Sequence, residues 1–124
     1  MVAEKAPVGV VVLVSDDNHV REGFRYGCPD DIEVRFAADA REAWSLMSER
    51  PPSLVIVAIR SGSAGGVGLA RDMSQHRSLK DVPILMLLER AQDTWLARQA
   101  GADDTVVQPV SGRELVERSL SLLN

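Results

Sequence analysis

Ser53-Leu54-Val55-Ile56-Val57-Ala58-Ile59-Arg60-Ser61-Gly62 is the stretch on which the fold turns. Leu54 to Ile59 is apolar without a break and mostly β-branched or leucine, the pattern of a strand buried on both faces of a parallel sheet. Pro51-Pro52 in front of it bars a helix from running in. Behind it, Ser61-Gly62-Ser63-Ala64-Gly65-Gly66-Val67-Gly68 reads as a loop leading into a helix. In an open parallel sheet the chemistry sits where the strands end at their carboxyl side. The residue at that end is Ala58, and a methyl group does no chemistry.

The same alternation runs outward in both directions. Val8 to Val14 predicts a buried strand, followed by the turn and cap residues Ser15-Asp16-Asp17-Asn18. The next helix sets Val20 and Phe24 on one face and stops at Gly27-Cys28-Pro29. Ile32 to Ala37 alternates polar and apolar, which places a strand nearer the edge. Asp39-Ala40-Arg41-Glu42 forms a capping box, and Ala40, Ala43, Trp44 and Met47 mark one helical face. Beyond the central strand, Leu69 and Met73 set the buried side of a third helix. Val82 to Leu88 predicts another buried strand with Pro83 at its beginning. A fourth helix over about Ala91 to Ala100 closes at Gly101, with Leu96 and Ala100 on its buried side. Thr105-Val106-Val107 is a short last strand. Ser111-Gly112-Arg113-Glu114 caps a final helix buried through Leu115, Val116, Ser119, Leu122 and Leu123. Five strand–helix units of this length predict an α/β protein with a doubly wound parallel sheet.

At 124 residues the chain is expected to be a single domain over 1–124. A net charge of -4 argues against a non-specific nucleic-acid binder. The longest apolar runs are strand-sized, so no membrane contact is expected. Met1-Val2-Ala3-Glu4-Lys5-Ala6-Pro7 is not a signal peptide. The lone Cys28 excludes an internal disulfide and suits a reducing, cytoplasmic setting.

Taken together, these residues resemble the receiver domain of bacterial response regulators over nearly the whole chain. Val14-Ser15-Asp16-Asp17 followed by Val20-Arg21-Glu22-Gly23 is similar to that family's acidic first strand end and first helix. Leu54 to Leu69 matches its third strand and loop, ending at Gly66 without a gap. Ala100-Gly101-Ala102-Asp103-Asp104-Thr105-Val106-Val107-Gln108-Pro109 resembles its most recognisable segment. The resemblance implies a flavodoxin-like sheet of strand order 2-1-3-4-5. It also implies a chemistry: an aspartate after the third strand takes a phosphoryl group, and two acids after the first strand help it hold Mg²⁺. A lysine after the fifth strand, a hydroxyl after the fourth and an aromatic on the fifth complete that chemistry.

Position by position, this chain departs from that pattern. Ala58 stands at the acceptor position, Leu88 at the sensing hydroxyl, Gln108 at the lysine and Thr105 at the aromatic switch. Counting back from Val20-Arg21 puts Ser15 and Asp16 at the acid pair, with Asp17 beside them. A one-residue slip makes the pair Asp16-Asp17, and both registers stand. Alanine cannot form an acyl phosphate. Without that carboxylate the site is a poor one for Mg²⁺, so no cofactor is expected, and Asp16 and Asp17 remain as weak metal candidates. A lysine left there without its carboxylate would cost roughly 3–5 kcal/mol, which Gln108 avoids.

Other signals have bland readings beside the functional ones. Asp16 and Asp17 cap the first helix, where negative charge is favoured; His19 beside them cannot join both on one ion. The Gly62 to Gly68 loop could cradle an anion, yet it lacks a lysine and does not fit G-x-G-x-x-G. Ser61 and Ser63 have no evident base. Trp95 lies beside the buried side of the fourth helix and fits either partial packing or a partner surface, since tryptophan is enriched at interface hot spots; in receivers that face commonly docks partners. The sequence thus points first to a degenerate receiver that signals by binding another protein, with no nucleic-acid or membrane partner. The alternatives are a phosphoacceptor using Mg²⁺ and a non-standard residue, and a small-ligand or phosphate module on the same fold.

Overall fold

Apolar runs at five places become five parallel strands because each is flanked by residues that stop or cap a helix. The computed structural model describes residues 9–60 and 65–123. Its strands are β1 Gly9–Val14, β2 Ile32–Ala37, β3 Leu54–Ala58, β4 Ile84–Leu88 and β5 Asp104–Val107. The helices are α1 Asn18–Gly27, α2 Ala40–Glu49, α3 Gly65–Ser74, α4 Thr94–Ala100 and α5 Gly112–Leu123. The strands pair in the order β2-β1-β3-β4-β5, all parallel. Fold class and strand order are those the sequence predicts. The segment from Ala91 differs: a 3₁₀ turn, Ala91–Asp93, precedes the α-helix proper.

Side chains of a strand point alternately to the two faces, and the core divides on that period. Val12, Val14, Val55, Val57, Met86 and Leu88 pack with α2, α3 and α4. Val11, Leu13, Leu54, Ile56, Leu85 and Leu87 pack with Phe24 of α1 and with Leu115 and Val116 of α5. Burying each such aliphatic side chain contributes roughly 1.5–3 kcal/mol relative to leaving it in water. β3 lies in the middle of both layers, which is why its sequence is apolar at every position.

The helix starts follow the predicted chemistry. Asp39 accepts from the Glu42 amide at 2.9 Å, and Glu42 reaches back to the Ala38 amide at 3.3 Å. Ser111 accepts from the Glu114 amide at 3.1 Å, whereas the Glu114 carboxylate turns to Arg118 at 3.6 Å. Gly101 ends α4 with φ of 114°, a conformation that favours glycine.

Sheet ends and edges are held by a few polar contacts. Asp103 brackets the start of β4: its amide donates to the Ile84 carbonyl, and its carboxylate accepts from the Ile84 amide, both at 2.8 Å. On the β2 edge, Glu33 and Arg35 meet α2 through the ion pairs Arg50–Glu33 and Arg35–Glu49. Arg21 and Arg25 of α1 lie over the Phe36 ring, 5.8 and 4.7 Å from its centroid.

Candidate functional site

The carboxyl ends of β1, β3, β4 and β5 rise to one rim, and all the candidate pocket residues except Asp16 and Asp17 end or directly follow a strand there. Ser15 leaves β1 and stays buried, 3% exposed. Its amide donates to the Ala37 carbonyl at 2.9 Å, and its carbonyl accepts from Arg21 Nε at 2.7 Å. The Ser15 hydroxyl accepts from the Asp17 amide at 3.1 Å. These bonds turn the chain outward, so Asp16 is exposed and Asp17 caps α1, its carboxylate accepting from the His19 amide at 2.8 Å. The capping role read from the sequence is therefore filled by Asp17.

Ala58 closes β3 and is half-buried. The backbone of α3 presses against it: a Cβ placed on Gly66 would stand 2.7 Å from the Ala58 carbonyl oxygen. Leu88, at the end of β4, is 0% exposed and belongs to the layer under α2, α3 and α4. Its carbonyl accepts from the Gln108 amide at 2.8 Å, and the Gln108–Pro109 peptide is cis. Thr105 pairs in register with Met86 and is half-buried. Its carbonyl faces Arg118 at 3.5 Å, which also holds the Asp104 carboxylate at 3.2 and 3.3 Å.

A shallow cleft of about 330 Å³ opens on this rim, lined by Asp17, His19, Val20, Glu89, Gln108, Pro109 and Val110. It brings Asp17 and Gln108 together and leaves Ser15, Asp16, Ala58 and Leu88 out of its lining. Magnesium asks for several oxygen ligands in a near-octahedral shell. The donors here do not fit it: a methyl at Ala58, a capping carboxylate at Asp17 and a serine hydroxyl engaged with the backbone. Among the described residues, no three histidine, cysteine or acidic side chains group so as to hold a metal ion. The predicted glycine loop falls partly on Ser61, Gly62, Ser63 and Ala64, which lie outside the described residues.

Two sequence readings need correction. Of the two residues read as the buried side of α4, Ala100 is buried as expected, but Leu96 is 40% exposed and Ala97 is buried in its place. Trp95 is 71% exposed and projects from the side of α4 away from those alanines, since it lies two residues, or about 200°, before Ala97. A second feature escaped the sequence altogether. Arg60 and Glu89 form an ion pair of 3.2 Å across the ends of β3 and β4. Only the strand register, Ala58 opposite Leu87, could have paired them.

Cys28 is half-buried after α1, and burial, with Asp31 nearby adding to it, pushes its thiol above the ordinary range. It is poorly suited to act as a nucleophile. No helix among the described residues is long and apolar enough to cross a membrane.

Residues 11–119 match the family model described as the response regulator receiver domain. The transcriptional regulatory protein SrrA of Staphylococcus aureus is 28% identical over 116 residues, 91% of this chain and 47% of that protein. The chain thus spans about half the length of the curated relatives it matches. A two-component response regulator of the LuxR family from Aurantimonas sp. is 28% identical and superposes with a TM-score of 0.80, covering 93% of this chain and 84% of that one. The chemotaxis response regulator CheY4 of Vibrio cholerae shares the fold with a TM-score of 0.84, at 22% identity over 97% of this chain and 100% of that one.

Proposed function

The chain belongs to the response regulator receiver domain family, and within that family we propose that it is a pseudo-receiver, which takes up no phosphoryl group and signals by binding another protein. The observation that carries this reading is Ala58 at the end of β3, with no carboxylate there to attack phosphorus. The surroundings support it. Leu88 is fully buried where a hydroxyl would be needed, and Gln108 supplies no charge for phosphoryl oxygens. The rim thus lacks both the carboxylate at the end of β3 and the lysine after β5 on which phosphoryl transfer to a receiver depends.

A signalling role without phosphate needs a surface. Trp95 at the crest of α4 supplies a large, rigid apolar side chain open to solvent, the kind that anchors interfaces. The partner is a signalling protein rather than nucleic acid or membrane, and the setting is the cytoplasm.

Incubation with acetyl phosphate and Mg²⁺, followed by intact-mass measurement, tests the reading. The expected mass is unchanged. A gain of one phosphoryl mass that is labile to base overturns it.

A further inference from the structure

We propose that the Arg60–Glu89 ion pair is a clasp that fixes the connection between β4 and α4, tying it to the end of β3 by charge. The register places the pair. Ala58 lies opposite Leu87 on the adjacent parallel strands. Two residues further on, where side chains return to the same face, Arg60 comes opposite Glu89. The ladder continues far enough to hold them there. The Ile59 amide, one residue past β3, still donates to the Leu87 carbonyl at 2.8 Å. Arg60 Nε then reaches the Glu89 carboxylate at 3.2 Å.

Glu89 begins the short connection from β4 to α4. From the other end Arg90 pairs with Asp93 at 3.5 Å, and the Thr94 hydroxyl donates to the Ala91 carbonyl at 2.7 Å. Those two contacts lie within the connection and fix only its internal shape. Among the described residues, Arg60 is the side chain from outside that ties its charged groups to a neighbouring strand. The clasp therefore sets where the connection, and the first turn of α4 with Trp95, sits relative to β3.

The two side chains are 76% and 49% exposed, so the pair is screened by water and its effect is local. An exposed pair of this kind changes a local opening equilibrium about two- to fivefold. At about 1 M salt the screening length falls to roughly 3 Å, and the clasp loosens.

The inference goes beyond the reading of Ala58 and does not depend on it; phosphoryl uptake and the measurement below can each fail without the other. Amide hydrogen exchange of residues 89–93 is measured in the wild-type protein, in Arg60→Gln and in the double swap Arg60→Glu/Glu89→Arg. The expected result is exchange two- to fivefold faster at 89–93 in Arg60→Gln, recovery toward wild type in the swap, and acceleration by 1 M NaCl of the wild type and the swap but not of Arg60→Gln. Unchanged exchange in Arg60→Gln overturns the clasp, as does failure of the swap to recover. Equal acceleration over the whole chain also overturns it, because it reports loss of global stability.

Discussion

Gly112 and Gly23 meet backbone to backbone where α5 starts beside α1: a Cβ added to Gly112 would stand 2.5 Å from the Gly23 carbonyl oxygen and 2.7 Å from its carbonyl carbon. Those are backbone atoms of a helix and cannot swing aside. Gly112→Ala must therefore push α5 off α1, disturbing the layer that holds Phe24, Leu115 and Val116. The expected loss is about 1–3 kcal/mol, as for overpacking in a tight core, read from urea unfolding. An unchanged midpoint would show that the two helices separate freely.

The two acids after β1 differ in what they do, and stability separates them. Asp17→Ala removes the α1 cap seen in its bond to the His19 amide and should cost about 1 kcal/mol. Asp16 is exposed, and Asp16→Ala should fall within about 0.5 kcal/mol of wild type. Thermal melts at equal protein concentration check both. Equal effects would remove the distinction.

Restoring one carboxylate should not restore the chemistry. In Ala58→Asp the new side chain gains an acid without a charged partner at Gln108 and without a second metal-binding acid at Ser15. We expect no added phosphoryl mass from acetyl phosphate and Mg²⁺ in the single variant. The triple change Ala58→Asp, Gln108→Lys and Ser15→Asp supplies acceptor, counter-charge and metal ligand together, and should show the added mass. Uptake by the single variant would mean that the rest of the pocket is still competent.

Trp95 carries little of the fold, because most of its surface is already in water. Trp95→Ala should leave the melting temperature almost unchanged while weakening capture of a protein partner. A large drop in melting temperature would place the indole in the core.

Much of this architecture is legible in the residues because burial on two faces and burial on one leave different patterns. Leu54 to Val57 could only be a central strand, and Ile32 to Ala37 announced an edge by its alternation. Asp39 and Ser111 marked helix starts through a short-range bond that needs no knowledge of the rest of the chain. The fourth helix was harder. Its buried contacts are Ala97 and Ala100; Ala100 was legible, but Ala97, a small side chain with little hydrophobic signal, lost the reading to the adjacent Leu96. At the site, the absence of a carboxylate at Ala58 was visible at once. The division of labour between Asp16 and Asp17 was not, because it depends on how the Ser15 hydroxyl and carbonyl turn the backbone. The Arg60–Glu89 pair was invisible for a similar reason: its partners are far apart in the chain and meet only through register.

The charges along β2 have a consequence for how the molecule keeps company with itself. An outermost strand offers unpaired amides and carbonyls on which a second chain could lengthen the sheet. Here Glu33 and Arg35 are drawn into ion pairs with Arg50 and Glu49, so an incoming strand would have to strip water from several charged groups before gaining its first backbone bonds. Those charges disfavour edge-to-edge addition of a further strand beside β2 in the five-stranded sheet.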